Sequence, residues 1–447
     1  MIAQIFEDVF SPQWISPPLS HPTHDLIILR PLLPWPSLID GLVPFYNLQQ
    51  GRTGCALRTL SAVSILARLR QLSDRKIIEH IQENRYMQYF CNVPDPDLRT
   101  FMNPSTLCRF RKRLGIEGIS HIEDEVFTCL QRADVIEASM MLMDATVLDS
   151  PIIYPTDVRL LYQAFDKMAR LATEGHIEPW WDSAHLKRRW RAYHQDRGYH
   201  QTYLEEFYTL FPPALAGLKE RLAQHQEPFD NHPDRLLQAR WRHLIAVLTL
   251  LNEQTQQKLA GQRHIENRLV SLDDLDAPPL QKGKSHPKTE FGTTLQMTVN
   301  RQGVMITTEN FIGQSNEKTL YAPTLERFRK RMGTYPGVAV TDAGYRSAKN
   351  RKLHHDDIDS VFMGKSMGKS ADVDEAHQAA CRSARSATEG FIAVAKNLRG
   401  FGQSLYRRLA GATIWSRLKQ CAYNLIQVLQ LYRHEALSEA TLTKLRL

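Results

Sequence analysis

The spacing of apolar side chains separates a helical N-terminal region from a later region of mixed strands and helices. Apolar positions recur at helical intervals, as at Leu60, Val63 and Ala67. A second amphipathic stretch begins after Ser73, which suits a helix N-terminus. We therefore predict an all-helical N-terminal domain over residues 1–135, with DNA binding as its candidate function.

A short amphipathic helix is predicted after Pro104, with Ser105 as its N-cap and Gly115 as its C-terminal glycine. At about 100° per residue, three apolar side chains share one face. They are Leu107, Phe110 and Leu114. The opposite face is basic and comprises Arg109, Lys112 and Arg113. A helix with an apolar back and a basic front suits the recognition helix of a helix-turn-helix. A solvated basic surface explains the same pattern equally well.

From Ala138 onward the pattern predicts strands. The segment ASMMLMDATVL is too short and too uniformly apolar for a surface helix, which indicates a buried central strand. Alternating residues on both sides of the turn at Arg301–Gly303 predict a hairpin. Further elements follow in this order: a helix over Glu317–Met332, a strand ending at Asp342, a helix from Ser347 to about His355, the strand IDSVFMG, and a helix containing Glu389. This order predicts an α/β fold with a mixed sheet covered by helices.

Two further divisions complete the predicted organisation. Residues 136–154 and 290–432 are expected to form the sheet-containing domain, and residues 433–447 a C-terminal tail. Residues 155–289, rich in Leu, Arg, Trp and His, predict a mainly helical insertion followed by a loop. The insertion contains Trp180, Trp181 and Trp190 beside basic residues, a composition that fits core packing or stacking on an extruded nucleic-acid base.

Composition narrows the classes of protein. Of 447 residues, 43% are apolar and 23% charged, which excludes a mainly disordered chain. No apolar stretch approaches the roughly 18 residues of a membrane span, and the first residues lack the basic flank of an export signal. Six scattered cysteines predict neither disulfides nor a cysteine-rich zinc site, so we expect a cytoplasmic protein. The net charge of +8 is compatible with phosphate-bearing partners and equally with a simple role in solubility.

Three acids stand out by their positions. Asp144 interrupts an apolar strand, Asp342 ends another, and Glu389 lies in a late helix. A carboxylate is almost never buried without a partner, and a divalent cation shared between several carboxylates is one such partner. An all-oxygen ligand set favours Mg²⁺ or Mn²⁺ over zinc. Taken singly, each aspartate is better explained as a strand-end or turn residue bonded to backbone amides.

Taken together, Asp144, Asp342 and Glu389 in this strand order resemble the catalytic acids of the DDE transposases of bacterial insertion sequences. That family has a catalytic domain of the ribonuclease H-like fold. Relatives place an Arg four residues before the Glu and a Lys seven residues after it, which Arg385 and Lys396 match. The segments PSTLCRFRKRL, DATVLDSPIIYPTD and FIAVAKNLRGFGQSLYRRLAGATIW resemble family blocks as well, so the resemblance extends over about residues 45–430.

The resemblance implies a transposase that binds the terminal inverted repeats of its element and catalyses metal-dependent strand cleavage and strand transfer. Its three acids would hold two Mg²⁺ or Mn²⁺ ions, with Asp144 bridging both. Arg346, Arg385 and Lys396 would contact DNA phosphates. The alternative for Arg385 is an intrahelical ion pair with Glu389.

The same resemblance implies a homodimer on paired DNA ends, without a membrane partner, in the bacterial cytoplasm near the nucleoid. Two alternatives remain open at this stage. One is a catalytically idle, transposase-derived repressor that binds DNA. The other is a metal-dependent nuclease of the same fold that does not join DNA ends.

Overall fold

The computed structural model describes residues 19, 21, 23–47, 54–93, 102–196, 200–224, 235–262, 264–281, 289–313, 315–353, 356–364, 366–367, 374–434, 437, 440–441 and 444. The chain divides into two compact units. The first comprises Met1–Pro151 and Gly292–Leu447, and the second comprises Ile152–Phe291.

The first unit begins with a group of helices. They are α1 (Asp25–Leu29), α2 (Trp35–Asp40), α3 (Leu57–Leu69), α4 (Asp74–Glu83), α5 (Arg85–Cys91) and α6 (Pro104–Arg132). Helix α4 begins as predicted, because the Ser73 hydroxyl accepts a hydrogen bond from the Lys76 backbone N–H at 3.3 Å. Ile77 and Ile81 are fully buried on its inner side. The predicted amphipathic helix is therefore confirmed.

The start of α6 corrects one prediction. Asn103, not Ser105, is the N-cap: its side-chain oxygen accepts a hydrogen bond from the Ser105 N–H at 3.0 Å. Pro104 takes the first helical position, where its missing N–H costs nothing. The predicted end of the helix at Gly115 is instead an interruption: Gly115 has φ 60° and ψ −157°, a conformation that glycine adopts without steric penalty. A second helical segment then continues to Arg132.

The described residues of the second unit include the helices α7 (Asp157–Glu174), α8 (Ser183–Gln195), α9 (His200–Gln224) and α10 (Arg235–Leu259). Of the three tryptophans considered above, Trp181 and Trp190 pack against its apolar core, and Trp190 stacks on Tyr162 with ring centroids 4.8 Å apart. Trp180 is 38% exposed, and the Arg221 guanidinium lies 4.0 Å from its ring centroid. Core packing therefore accounts for Trp181 and Trp190 but leaves Trp180 at the surface.

A mixed sheet forms the centre of the fold. Its strands are β1 (Met140–Asp149), β2 (Pro279–Leu280), β3 (Glu290–Val299), β4 (Met305–Ile312), β5 (Val338–Thr341), β6 (Ser360–Met363) and β7 (Ser366–Met367). They are ordered β2-β3-β1-β5-β6-β7, and β4 pairs with β3 in the predicted hairpin. The long strand β1 is central, antiparallel to β3 and parallel to β5. The predicted mixed α/β class is confirmed.

Helices follow the strands and cover both faces of the sheet. They are α11 (Glu317–Met332), α12 (Ala348–Lys352), α13 (Glu375–Leu398) and α14 (Arg408–Arg433). On one face, Leu142 and Val340 belong to the same apolar cluster as Cys381 and Ala395 of α13. On the other face, Met141 packs into the core that includes the N-terminal helices. Because side chains alternate along a strand, Asp144 points to the same face as Leu142.

The structure also gives the state of the cysteines and the length of the most apolar helices. All six cysteines are free thiols. Among the described residues, no single helix is long and apolar enough to cross a membrane. Only the bent pair Asp25–Leu32 and Trp35–Phe45 meets that criterion, and only when both are counted together.

Helix α14 buries a lysine against α3. Lys419 is 1% exposed, and its Nζ donates a hydrogen bond to the Arg68 carbonyl oxygen at 3.2 Å. The ammonium group also lies 5.1 Å from the Trp415 ring centroid. Burial, together with repulsion by Arg68 and Arg399, lowers the pKa of Lys419 to about 7. The unfolded chain keeps the ordinary lysine pKa, so between pH 7 and about 10 it binds a proton that the folded chain does not.

We predict that Lys419→Met removes a pH dependence of stability. Because the unfolded state of the wild type binds more protons above pH 7, its free energy of unfolding should rise between pH 7 and 9 by on the order of 2 kcal/mol relative to this variant. The measurement is Tm at both pH values. The exposed Lys330→Met variant controls for the loss of one lysine and should follow the wild type. Equal changes in Tm for the Lys419→Met variant and the wild type would contradict the lowered pKa.

Candidate active site

Two of the three predicted acids lie side by side. Strands β1 and β5 run parallel, with Met143 opposite Thr341 as their last ladder pair. Asp144 is the next residue of β1, and Asp342 is the first residue after β5, so both follow this last ladder pair directly. Neighbouring strands lie about 4.8 Å apart, so the two backbones that carry these carboxylates are one strand spacing apart. Both residues are half-buried.

Backbone N–H groups orient both carboxylates. An Asp342 oxygen accepts a hydrogen bond from the Gly344 N–H at 2.8 Å, which makes Asp342 the N-cap of the short 3₁₀ turn Ala343–Tyr345. An Asp144 oxygen accepts from the Ala145 N–H at 2.7 Å. The site therefore begins with two adjacent aspartates, each held by the backbone of its own segment.

A third carboxylate lies beside this pair and was missed by sequence reasoning. Glu317 is the first residue of α11, and its carboxylate fills the space that a side chain at Gly344 would occupy. The Asp342 carboxylate borders the same space. The acidic first turn after the N-cap Asn316 is an ordinary helix-start pattern, so it carries no signal for a site. The available signal is the glycine two residues after Asp342, which leaves room for a neighbouring group.

Tyr345 is the last residue of the Ala343–Tyr345 turn, and its side chain packs in the apolar core. It is fully buried, and its hydroxyl donates a hydrogen bond to the Gln296 side-chain oxygen on β3 at 2.8 Å. Burial raises the pKa of Tyr345 well above its usual range, and the negative charges of Asp144, Glu317 and Asp342 raise it further. The phenol therefore keeps its proton and remains a hydrogen-bond donor.

Glu389 is placed differently from the aspartates. Its side chain is 62% exposed on α13, and its carboxylate accepts a hydrogen bond from Arg385 Nη2 at 2.7 Å. Across the part of the chain that the structure describes, no three His, Cys, Asp or Glu side chains are grouped closely enough to hold a metal ion. The structure thus brings Asp144 and Asp342 together, whereas Glu389 takes the neighbouring arginine as its counter-ion.

The donor set at the aspartates suits a hard divalent cation. Asp144, Asp342 and the nearby Glu317 offer only carboxylate oxygens, the ligands that Mg²⁺, Mn²⁺ and Ca²⁺ prefer. Two like charges one strand apart repel each other, and a bound cation would offset that repulsion. The donor chemistry therefore suits a divalent metal, although among the described residues these carboxylates are not grouped closely enough to hold one in the present arrangement.

The basic face of α6 has the predicted exposure. Arg109, Lys112 and Arg113 are exposed, and Leu107 and Phe110 are buried behind them. The intervening Arg111 is instead buried and donates to the Asp74 carboxylate at 3.1 Å, so it joins α6 to α4. The amphipathic pattern is confirmed, with three cations of the segment presented to solvent.

The other predicted phosphate contacts occupy separate positions. Arg346 is exposed at the end of the turn that follows Asp342. Lys396 is half-buried on α13, two turns beyond Glu389, and its backbone and side-chain stem border Gly402. Arg385 is engaged by Glu389 on the same helix, the ion pair that its i, i+4 spacing allows.

We predict that Arg385→Ala has almost no effect on stability. An exposed i, i+4 ion pair contributes only about 0.3–0.5 kcal/mol, so Tm should change by about 1 °C or less. The comparison variant is Glu123→Gln, because Glu123 is 1% exposed and binds both Arg331 and Arg417. Loss of that buried anion should cost about 3–5 kcal/mol. A large loss of Tm in Arg385→Ala would mean that the exposed pair is structural.

Comparisons with known proteins give two family matches. Residues 17–113 match the family described as Transposase domain (DUF772), and residues 259–425 match the family described as Transposase DDE domain. The first match contains the basic face of α6, and the second contains Asp342 and Glu389. The uncharacterized protein ORF8 of the nfe locus of Rhizobium meliloti is 29% identical over 161 residues, 35% of this chain and 77% of the relative. No solved structure matches the chain.

Proposed function

The chain belongs to the DDE transposases of bacterial insertion sequences, and on that premise we propose that it binds the terminal inverted repeats of its element and catalyses metal-dependent strand cleavage and strand transfer. The observation that supports the chemistry best is the register that sets Asp144 beside Asp342 on adjacent parallel strands. The central mixed sheet, flanked by helices, supports a ribonuclease H-like catalytic domain.

The catalytic residues in this proposal are Asp144, Asp342 and Glu389, which together hold two Mg²⁺ or Mn²⁺ ions. Such ions, when bound, activate a water or a DNA 3′-hydroxyl and stabilise the leaving oxygen. Asp144 would supply a carboxylate ligand from the strand β1. Asp342 is aimed by the Gly344 N–H. Glu389 completes the set after it leaves Arg385.

In this mechanism, Arg385 binds first the Glu389 carboxylate and then a DNA phosphate. Its guanidinium binds the Glu389 carboxylate in the absence of DNA. When the DNA backbone arrives, Arg385 can exchange that carboxylate for a phosphate, since guanidinium binds both oxyanions with the same geometry. The exchange releases Glu389 at the moment when substrate is present. Arg346 and Lys396 provide further positive charge for the phosphates.

DNA ends are recognised, in the same proposal, by the exposed side of α6. Arg109, Lys112 and Arg113 project from a helix whose other side is anchored in the core, so their positions are fixed relative to one another. The chain acts as a homodimer on paired ends, in the bacterial cytoplasm where the chromosomal target DNA is found.

The alternative is a transposase-derived repressor that binds DNA without cutting it. The observation that favours this alternative is the pairing of Glu389 with Arg385 in place of a carboxylate cluster. The two functions differ in one measurable property. Only the transposase converts end-containing DNA into cleaved and joined products in the presence of Mg²⁺ or Mn²⁺.

We predict that Asp144→Asn, Asp342→Asn and Glu389→Gln each abolish cleavage of DNA that carries the element's ends. The rate should fall by more than the roughly 10–100-fold that loss of an outer-shell partner costs, because each variant loses a ligand. Cleavage and strand transfer are followed on gels with Mg²⁺ or Mn²⁺, and end binding by gel shift in EDTA.

Two variants serve as matched controls for this experiment. Asp149→Asn lies on the same strand as Asp144, and Glu375→Gln lies on the same helix as Glu389. Both should cleave like the wild type. Cleavage that survives one of the three site variants removes that residue from the mechanism. A wild type that binds ends but never cleaves them supports the repressor, and cleavage without joining supports a nuclease.

We predict that Arg109→Ala and Arg113→Ala weaken binding to the DNA ends. Each lost phosphate contact should lower the slope of log K against log salt by about 0.9, because one counterion fewer is released. The control is Arg132→Ala, which removes the same charge from the exposed far end of α6. Salt titrations of gel shifts measure the slope. Equal losses in all three variants would indicate a general effect of charge and place end recognition elsewhere.

A further inference from the structure

The position of Asp342 depends on a turn. The ladder between β1 and β5 ends at Thr341, one residue before the carboxylate. Asp342 itself belongs to the turn that continues through Ala343–Tyr345. Whatever fixes this turn therefore fixes the distance between the two aspartates.

Tyr345 links the turn to the far side of β1. Its side chain enters the core, and its hydroxyl donates to the Gln296 oxygen on β3 at 2.8 Å. In the β1–β3 ladder, Gln296 is the partner of Ala145, the residue that follows Asp144. One hydrogen bond thus ties the segment carrying Asp342 to the strand that pairs with the segment carrying Asp144.

Asn350 holds the same turn from the other side. Its Nδ2 donates to the Tyr345 carbonyl at 2.8 Å and to the Lys318 carbonyl in the first turn of α11 at 2.9 Å. Asn350 is 4% exposed, so water competes little for these bonds. Both ends of Tyr345, its hydroxyl and its carbonyl, are therefore anchored to other elements.

The tyrosine–glutamine pair is costly in a purely structural role. Gln296 is 1% exposed between the apolar residues Leu295 and Met297, and its amide nitrogen makes no hydrogen bond to any described residue. A buried polar group that is only partly satisfied destabilises a core, whereas two apolar side chains of similar size can fill the same space. A role of this hydrogen bond in positioning another part of the molecule explains the pair better.

We propose that Tyr345 is a positioning residue of the candidate active site, whose hydrogen bond to Gln296 sets the turn that holds Asp342 beside Asp144. The inference rests on the function proposed above. Tyr345 acts through Asp342, because its phenol is buried beneath the turn and has no access to DNA. Its loss should alter metal affinity and the rate of cleavage and leave DNA affinity unchanged.

The test compares Tyr345→Phe with Tyr321→Phe in the full-length protein. Tyr321 is also fully buried in the same apolar cluster, and its hydroxyl has no hydrogen-bond partner among the described residues. We expect Tyr345→Phe to lower kcat for cleavage about 10-fold and to weaken Mn²⁺ binding by a similar factor, as loss of an outer-shell partner does. KM for DNA should stay within about twofold of the wild type, and Tyr321→Phe should match the wild type throughout.

A double variant separates positioning from stability. Tyr345→Phe leaves Gln296 without its partner, so Tm is expected to fall in this variant. Adding Gln296→Met replaces both polar groups by apolar ones and should restore Tm, because a buried pair removed together costs little. If Tyr345 positions Asp342, kcat and Mn²⁺ affinity stay low in the double variant although its stability recovers. A purely structural role would restore all three together.

The outcomes also separate this inference from the proposed function. Mn²⁺ binding is measured by titration calorimetry without DNA, so it tests the site even in a chain that does not cleave. Normal kcat and Mn²⁺ affinity in Tyr345→Phe, or their recovery in the double variant, would overturn the positioning role alone. A wild type that cleaves no DNA but binds Mn²⁺, with weaker binding in Tyr345→Phe, would overturn the proposed function and retain the positioning role. A wild type that neither binds Mn²⁺ nor cleaves DNA would overturn both.

Discussion

The parallel pairing of β1 with β5 is the constraint on which the rest of the candidate site depends. Its last ladder pair, Met143 with Thr341, is followed directly by Asp144 in β1 and by Asp342 after β5, although the two aspartates lie far apart along the chain. The register is held by apolar side chains on both faces of the sheet, since Leu142 and Val340 pack on one face and Met141 on the other. A slip of one residue would turn every side chain of a strand to the opposite face. The hydrophobic core therefore determines where the carboxylates stand.

Local features of this fold were readable from the sequence because they depend on short-range physics. The bounds predicted for α11, Glu317–Met332, agree with the structure, and so does the hairpin. The wrong N-cap has a local cause as well. Asn103 and Ser105 both favour a cap, and Pro104 between them decides the outcome because proline prefers the first helical position. The expectation that the two aspartates meet rested on the family resemblance, because β2, β3 and β4 separate β1 from β5 along the chain.

The remaining features of the site depend on tertiary contacts that no local pattern encodes. Tyr345 and Gln296 lie 49 residues apart, and no nearby residue in the sequence indicates that the two form a hydrogen bond. In the sequence, Glu317 resembles any acid in the first turn of a helix. Only the structure shows that its carboxylate fills the space beside Gly344. The spacing of Arg385 and Glu389 allowed two interpretations in advance, because an intrahelical pair and a phosphate contact use the same side chain. Only the folded arrangement shows which partner Arg385 takes without DNA.

The three acids of the candidate site are therefore held unequally: Asp144 and Asp342 rigidly, and Glu389 only weakly. Asp144 and Asp342 are held by a strand ladder, backbone N–H groups and a buried tyrosine, and moving them requires breaking core contacts. Glu389 sits on an exposed helix surface, and its bond to Arg385 is worth only a few tenths of a kcal/mol. A carboxylate held that weakly can change partners at little cost when a cation and a DNA phosphate compete for the two members of the pair. In the proposed mechanism, assembly of the complete acid set would be favoured by the substrate, because a DNA phosphate would compete for Arg385 while a cation competes for Glu389.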